Sequence, residues 1–195
     1  DPIQRLLDPG YLRFLETAWE EWKAEGMAGE IIAANVPSRG MHMDRVPRNI
    51  DGKVGYYCHA SETSITAGTW EAACASAASM QTAQRLVAGG ERAAFALCRP
   101  PCHHSTRDQY GGYCFLNNAA IAAQMMRDAG AGRVAILDID FHHGNGTQVM
   151  FEEDADLFFA SSHQMPLYPG SGFPDEVGCG NILNLPLRPY SGSRE

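Results

Sequence analysis

One stretch of the chain concentrates groups that ionise or ligate: Asp138-Ile139-Asp140-Phe141-His142-His143-Gly144-Asn145-Gly146. If it continues a strand, the period of two sends Asp138, Asp140 and His142 to one side and Ile139 and Phe141 to the other. A carboxylate and an imidazole two residues apart can then grip one metal ion, and mixed oxygen and nitrogen ligands suit zinc or a similar divalent ion. The remaining aspartate is left to accept a hydrogen bond from a ligand or catalytic histidine. Read instead as a polar strand end with an Asn-Gly turn, the stretch would place three ionisable groups on a buried strand without partners, which is costly. The second cluster is Arg99-Pro100-Pro101-Cys102-His103-His104, whose adjacent histidines cannot both point the same way. By itself it fits a metal site, an acid–base pair or a solvated loop. Beside the first cluster it supplies a proton shuttle, which a metal that polarises a carbonyl still needs. With Asp138 behind one imidazole and Asn145 behind the other, the two would differ in basicity, because a carboxylate raises proton affinity far more than an amide does.

These clusters need a frame. Leu12, Leu15, Ala18, Trp19 and Trp22 recur at helical spacing, which predicts an amphipathic helix over 11–23 ended by Gly26 and Gly29. Residues 31–55, punctuated by Pro37, Gly40, Pro47 and Gly52, read as a long loop. The Ala-rich run 70–88 reads as a helix, with an N-cap from 66–69 and a stop at Gly89-Gly90. The apolar run 93–98 reads as a buried strand. A helix over 119–127 capped by Asn117 or Asn118, a buried strand over 134–140 and a further apolar run at 157–160 complete the alternation. Strands alternating with helices imply βαβ units and a parallel sheet covered on both faces, with ligands gathered beyond the carboxyl ends of the strands. Both chemical clusters fall there.

A chain of 195 residues suits one domain or part of a larger one. With 45% hydrophobic and 19% charged residues it reads as globular, and no apolar run is long enough to span a bilayer. The net charge of −8 and the lack of any Lys/Arg block argue against a nucleic-acid partner and favour a cationic ligand. Cysteines 58, 74, 98, 102, 114 and 179 are scattered through apolar segments, which favours reduced thiols and a cytoplasmic protein. The absence of an initiator Met at Asp1 and the featureless stretch 191–195 suggest a fragment.

The motifs Arg99-Pro100-Pro101-x-His103-His104, Gly111-Gly112-Tyr113-Cys114-Phe115-Leu116-Asn117-Asn118-Ala119, the stretch 138–148, and Ser161-Ser162-His163 ahead of Tyr168-Pro169-Gly170 resemble the zinc-dependent deacetylases of the arginase and histone deacetylase superfamily. Segments 11–22 and 55–70 resemble its acetylpolyamine amidohydrolase branch in particular. The resemblance implies a three-layer αβα domain with a mainly parallel central sheet, of which residues 1–195 are one partial domain, incomplete at both ends. It implies Asp140 and His142 as zinc ligands (iron(II) or cobalt(II) being alternatives), His103 and His104 as acid–base histidines, and Asp138 and Asn145 as their orienting partners. Tyr113 becomes a wall of the substrate channel. A structural potassium ion is implied at Asp138, Asp140, His142, Ser161 and Ser162, and Phe151, Asp154 and Leu157 fall near a second monovalent-cation site. In that branch the insertion at 31–55 builds homodimer contacts and narrows the channel, and Asp51 with Glu62 meets the distal ammonium of a small cationic acetylated amine.

The implied activity is hydrolysis of N-acetyl amides, foremost deacetylation of acetylpolyamines to acetate and free amine. Deacetylation of acetyl-lysine in proteins and a binding-only fragment are the other readings; arginase-like chemistry would need a two-metal cluster richer in carboxylates than 138–145 provides. Position 102 is Cys where the family carries Gly, which raises altered geometry, a redox-sensitive thiol, simple tolerance or a soft Cys-His-His metal site. The family's third zinc ligand, an Asp, and its transition-state Tyr come from segments downstream of those in this chain, and no spacing supports His163 or Asp175 as substitutes. These 195 residues alone are therefore expected to bind zinc poorly.

Overall fold

The computed structural model describes residues 2–37 and 42–192. Gly40 and the terminal residues 193–195 lie outside the described residues. A five-residue helix α1 (Pro2–Leu6) precedes α2 (Pro9–Ala24). Asp8 starts α2 by accepting the Tyr11 N–H at 2.8 Å, with Pro9 suited to the first turn. Of the expected stripe Leu15, Ala18 and Trp22 are buried, joined by Tyr11 and Phe14, while Leu12 and Trp19 are only half-buried at its edge. The Ala-rich run forms α4 (Thr69–Ala88), and α5 (Asn118–Asp128) is capped by Asn117, whose side chain accepts the Ala120 N–H at 3.0 Å.

The loop expected over 31–55 is shorter than the sequence suggested, because α3 (Ile50–Tyr57) begins inside it. Ile50, Val54 and Tyr57 form a buried i, i+4, i+7 stripe that Gly52 and Gly55 conceal in the sequence. The first turn is tied from afar: Glu25 accepts the Ile50 N–H at 3.0 Å.

Strands β1 (Val134–Asp138), β2 (Leu157–Gln164) and β3 (Ile182–Leu187) make a parallel sheet in the order β1-β2-β3. Asp138 lies opposite Ser161, and Ser161 opposite Asn184. The seven-residue α6 (Asn145–Phe151) connects β1 to β2, and it packs on β2 as α5 packs on β1. One sheet face, with Val134, Leu157, Phe159 and Ile182, is buried.

Two expectations fail here. Residues 93–98 form no strand: Phe95 is 88% exposed, and the run has no ladder partner among the described residues. A strand exists through its neighbour's hydrogen bonds, so apolar character alone does not make one. Nor is the sheet covered on both faces among the described residues, since Leu137 is 72% exposed and Phe158, Leu183 and Leu185 are exposed beside it.

Candidate active site

β1 stops at Asp138, so strand geometry cannot carry Asp140 and His142 to the same side as that residue. Side chains do it instead. Asp138 Oδ1 accepts the Asp140 N–H at 3.1 Å, and Asp140 Oδ1 accepts the His142 N–H at 2.7 Å, two successive Asx-type turns that preserve the alternation past the sheet. His103 Nδ1 lies 2.9 Å from Asp138 Oδ2, and His104 Nδ1 lies 2.7 Å from Asn145 Oδ1. The two imidazoles sit 4.0 Å apart between centroids.

The histidine loop is braced from several sides. The N–H groups of Gly146 and Thr147, in the first turn of α6, donate to the His103 carbonyl at 2.9 and 3.2 Å. Helix α6 thus orients both histidines, one through its backbone and the other through Asn145. Asn117 Nδ2 donates to the Ser105 carbonyl at 3.1 Å, while Ser105 Oγ and Tyr11 Oη donate to the Phe115 carbonyl at 2.9 and 2.6 Å. Behind it, stacked Phe14, Tyr110 and Phe115 rings bury a large apolar area. Full burial of one such side chain contributes roughly 2–3 kcal/mol.

His103, His104, Asp140, His142, Glu62, Pro101, Gly112, Tyr113 and Tyr168 line a cavity of about 300 Å³. Tyr113 sits at φ +65°, and its turn is held by Thr63 Oγ1, which accepts the Tyr113 N–H at 2.8 Å, and by Glu62 Oε1, which accepts the Gly112 N–H at 3.1 Å. Gly112, at φ +55°, could not be otherwise: a Cβ there would lie 2.2 Å from His104 Cδ2.

The electrostatics separate the two histidines. Burial pushes His104 down to about 4, helped by the charge of His103 and opposed by the Asn145 bond, so His104 is neutral near pH 7. Burial raises the Asp138 carboxyl, but the hydrogen bond and charge of His103 and the Asp140 N–H outweigh it, leaving Asp138 below the usual carboxylate range. Tyr168 is raised by burial and then by the charge of Glu62, so its phenol stays protonated.

Asp140 Oδ1 and His142 Nδ1 stand 3.5 Å apart. With metal–ligand bonds of about 2.0–2.1 Å, adjacent corners of a tetrahedral site are roughly 3.3 Å apart, so the pair fits two corners. Among the described residues no group of three His, Cys, Asp or Glu side chains is placed to hold a metal. His163 is no substitute: buried 4.8 Å from the His143 ring, it bonds Ser161 Oγ and the Gly172 carbonyl at 2.9 and 3.0 Å. Asp175 is exposed on a loop away from the cavity lining. Asp138 lies opposite Ser161 at the end of the β1–β2 register, where the potassium expectation falls.

Asp51, expected beside Glu62, is not there. It lies exposed on the first turn of α3, because Ile50 and Val54 take the core side, and it borders a separate cavity of about 190 Å³ with Asn35, His42 and Arg45. No described residue of 31–55 lines the larger cavity. Cys102 is also outside that lining, which removes the Cys-His-His metal reading. Its backbone is not left-handed, so a side chain is tolerated, and burial pushes its thiol up to about 11, far from a reactive thiolate. Sequence reasoning missed Tyr168, whose ring meets His104 and His142 edge-on at 5.0 and 5.8 Å, although its Tyr-Pro-Gly turn was visible. It also missed His59, whose Nε2 donates to the His104 carbonyl at 3.0 Å and which no spacing announces.

Fold and site together place the chain among α/β domains that gather ionisable side chains beyond the carboxyl ends of parallel strands. It belongs to the histone deacetylase domain family, whose pattern matches residues 1–195. The chain is 51% identical over 201 residues to an acetylpolyamine amidohydrolase of Mycoplana ramosa, covering 98% of this chain and 59% of that protein. It is 48% identical to acetylpolyamine amidohydrolase 2 of Pseudomonas aeruginosa, with 96% and 56% covered. The crystal structure of an acetylpolyamine aminohydrolase from Burkholderia pseudomallei superimposes with a TM-score of 0.88 at 40% identity, covering 96% of this chain and 56% of that one. The αβα fold follows from that likeness. The chain spans less than two thirds of the length of these relatives.

Proposed function

We propose that this chain carries the acid–base half of an amidohydrolase site that removes acetyl groups from small cationic amines. The observation that carries the reading is the pairing of His103 with a carboxylate and His104 with an amide, beside Asp140 and His142 in one cavity. Asp140 and His142 are the residues that would hold a divalent ion, most simply zinc with iron(II) or cobalt(II) as alternatives; when bound, it supplies polarisation of the acetyl carbonyl and acidification of water. The third ligand comes from outside the described residues. His103, with Asp138 behind it, is the imidazole suited to carry a proton: it takes one from the attacking water and returns it to the leaving amine. His104 is held neutral and oriented by Asn145, and serves as a hydrogen-bond partner to the reacting oxygen. Tyr113 and Tyr168 form walls that admit an extended alkyl chain and exclude water from it.

Glu62 gives the cavity its preference for a cation. Its Oε1 is engaged by the Gly112 N–H, and Glu62 is an exposed part of the cavity lining, where the field of an acidic chain favours an ammonium group. Main-chain oxygens of Asp138, Asp140 and His142 with Ser161 and Ser162 are the proposed potassium site. Six free cysteines accord with a cytoplasmic setting, and a homodimer through 31–55 follows from the family resemblance. The test is hydrolysis by the enzyme spanning the full family domain. Acetylputrescine is expected to be preferred to an acetyl-lysine peptide, and Glu62→Gln to raise KM for acetylputrescine about tenfold, which is about 1.4 kcal/mol, with kcat nearly kept. Equal use of both substrates by both forms would sink the assignment.

A further inference from the structure

Helix α6 ends at Phe151, and the carbonyls freed at a helix end must find a partner. Here three main-chain oxygens, of Phe151, Asp154 and Leu157, converge on one atom: Asn181 Nδ2 stands 2.7, 2.9 and 2.8 Å from them. The other end of the amide fixes its orientation, because Asn181 Oδ1 accepts the Cys179 N–H at 3.2 Å. The amino group, not the oxygen, therefore faces the carbonyls. Asn181 is buried, 5% exposed. An amide nitrogen has two protons and meets three acceptors here. Two of these oxygens also take a main-chain N–H, Phe151 from Asp154 at 2.9 Å and Asp154 from Leu157 at 3.0 Å; three converging carbonyls are also the arrangement that elsewhere replaces the hydration shell of a potassium ion.

The turn that delivers Asn181 is shaped for this approach. Gly178 adopts φ +56°, and a Cβ there would lie 2.5 Å from the Glu152 carbonyl oxygen and 2.6 Å from Asn181 Oδ1. Next to it, the Cys179 N–H donates to the Glu152 carbonyl at 2.8 Å. The chain entering β3 is thereby docked on the carboxyl end of α6 by Cys179 and Asn181 together.

The family resemblance implies a second monovalent cation near Phe151, Asp154 and Leu157, and the residues present do not leave room for it. We propose that in this protein the Asn181 amide takes the place of that cation, tying the end of α6 to β3 and closing the carbonyl cage to potassium. The tie bears on the site because α6 is only seven residues long and opens with Asn145, the partner of His104. The helix is anchored at both ends by protein groups, so its position does not depend on a dissolved ion.

Thallium(I) is a potassium surrogate with strong anomalous scattering, and a soak of crystals of the protein tests the assignment. The wild type is expected to show no thallium among the three carbonyls, and Asn181→Ala, which empties the cage, to gain a peak there. In solution, the difference in Tm between potassium chloride and tetramethylammonium chloride should be larger for Asn181→Ala than for the wild type by several degrees. Thallium seated among the three carbonyls of the wild type, with Asn181 turned out, would overturn the proposal. So would a folded Asn181→Ala variant that takes no thallium there or gains no added potassium dependence. If that variant does not fold, the wild-type soak decides alone.

Discussion

Acid should unfold this protein through its buried imidazoles well before its carboxylates matter. His104 and His143 have ordinary values of 6.5 and are each pushed down to about 4, in both cases chiefly by burial. Because the folded value lies below the unfolded one, the unfolded chain takes up protons first as pH falls. Stability is therefore complete above about pH 7 and is lost as pH drops through 6.5 towards 4. At about pH 5 the unfolded imidazole is roughly 30-fold more protonated than neutral while the folded one is mostly neutral, which amounts to about 2 kcal/mol per group and about 4 kcal/mol for the pair. His59, also lowered by burial, acts in the same direction. The lowered carboxylates of Asp138, Glu21 and Glu176 contribute stability present above their unfolded values of 3.8 and 4.5 and lost only as pH falls below them, so they are nearly silent in this window. Urea unfolding of the metal-free protein, followed by tryptophan fluorescence at about pH 7.5 and pH 5, reads the difference directly. His104→Gln should remove about half of the pH-dependent loss. A loss below about 1 kcal/mol in the wild type would refute the argument, since it would mean that the two rings are hydrated in the fold.

Three further outcomes follow from the same contacts. In the enzyme spanning the full family domain, Asp138→Asn should lower the rate of acetylputrescine hydrolysis by about 10²–10⁴-fold, the range of lost acid–base catalysis, with a smaller loss for Asn145→Ala in parallel rate measurements. Gly112→Ala should displace the His104 ring, so activity falls with a drop in Tm even though the added group is a single methyl. Tyr11→Phe should cost about 1 kcal/mol in denaturant titrations, because Ser105 still donates to the Phe115 carbonyl and no oxygen is left bare.

The helices were legible in the sequence wherever the stripe is local, and Asn117 caps α5 as its position suggests, whereas α4 begins after Gly68 without a side-chain cap from 66–69. α3 was hidden because its first turn is stabilised by Glu25, a partner far back in the chain. The run 93–98 shows the opposite error, since its apolar pattern is right for a strand while pairing is a property of neighbours. At the site, Asp138, Asp140 and His142 were found by assuming that the strand continued. It does not, and Asx turns give the same alternation by another route. The histidine pairings came from chemistry and a family resemblance and match the geometry. Asp51 was misplaced because α3, which decides the side it faces, was itself unseen.

Gly112 and Gly144 set how such a site can change over generations. A methyl at Gly144 would sit 2.1 Å from Asp138 Oδ2, as one at Gly112 would from His104 at 2.2 Å. No small step leads away from either position, since the least possible side chain already collides with Asp138 or with His104. Side-chain changes meet less resistance at the rim, where Glu62, Tyr113 and Tyr168 are exposed. A lineage built on this frame can reshape the rim of the cavity one residue at a time, while the placing of His104 and Asp138 stays locked to the backbone.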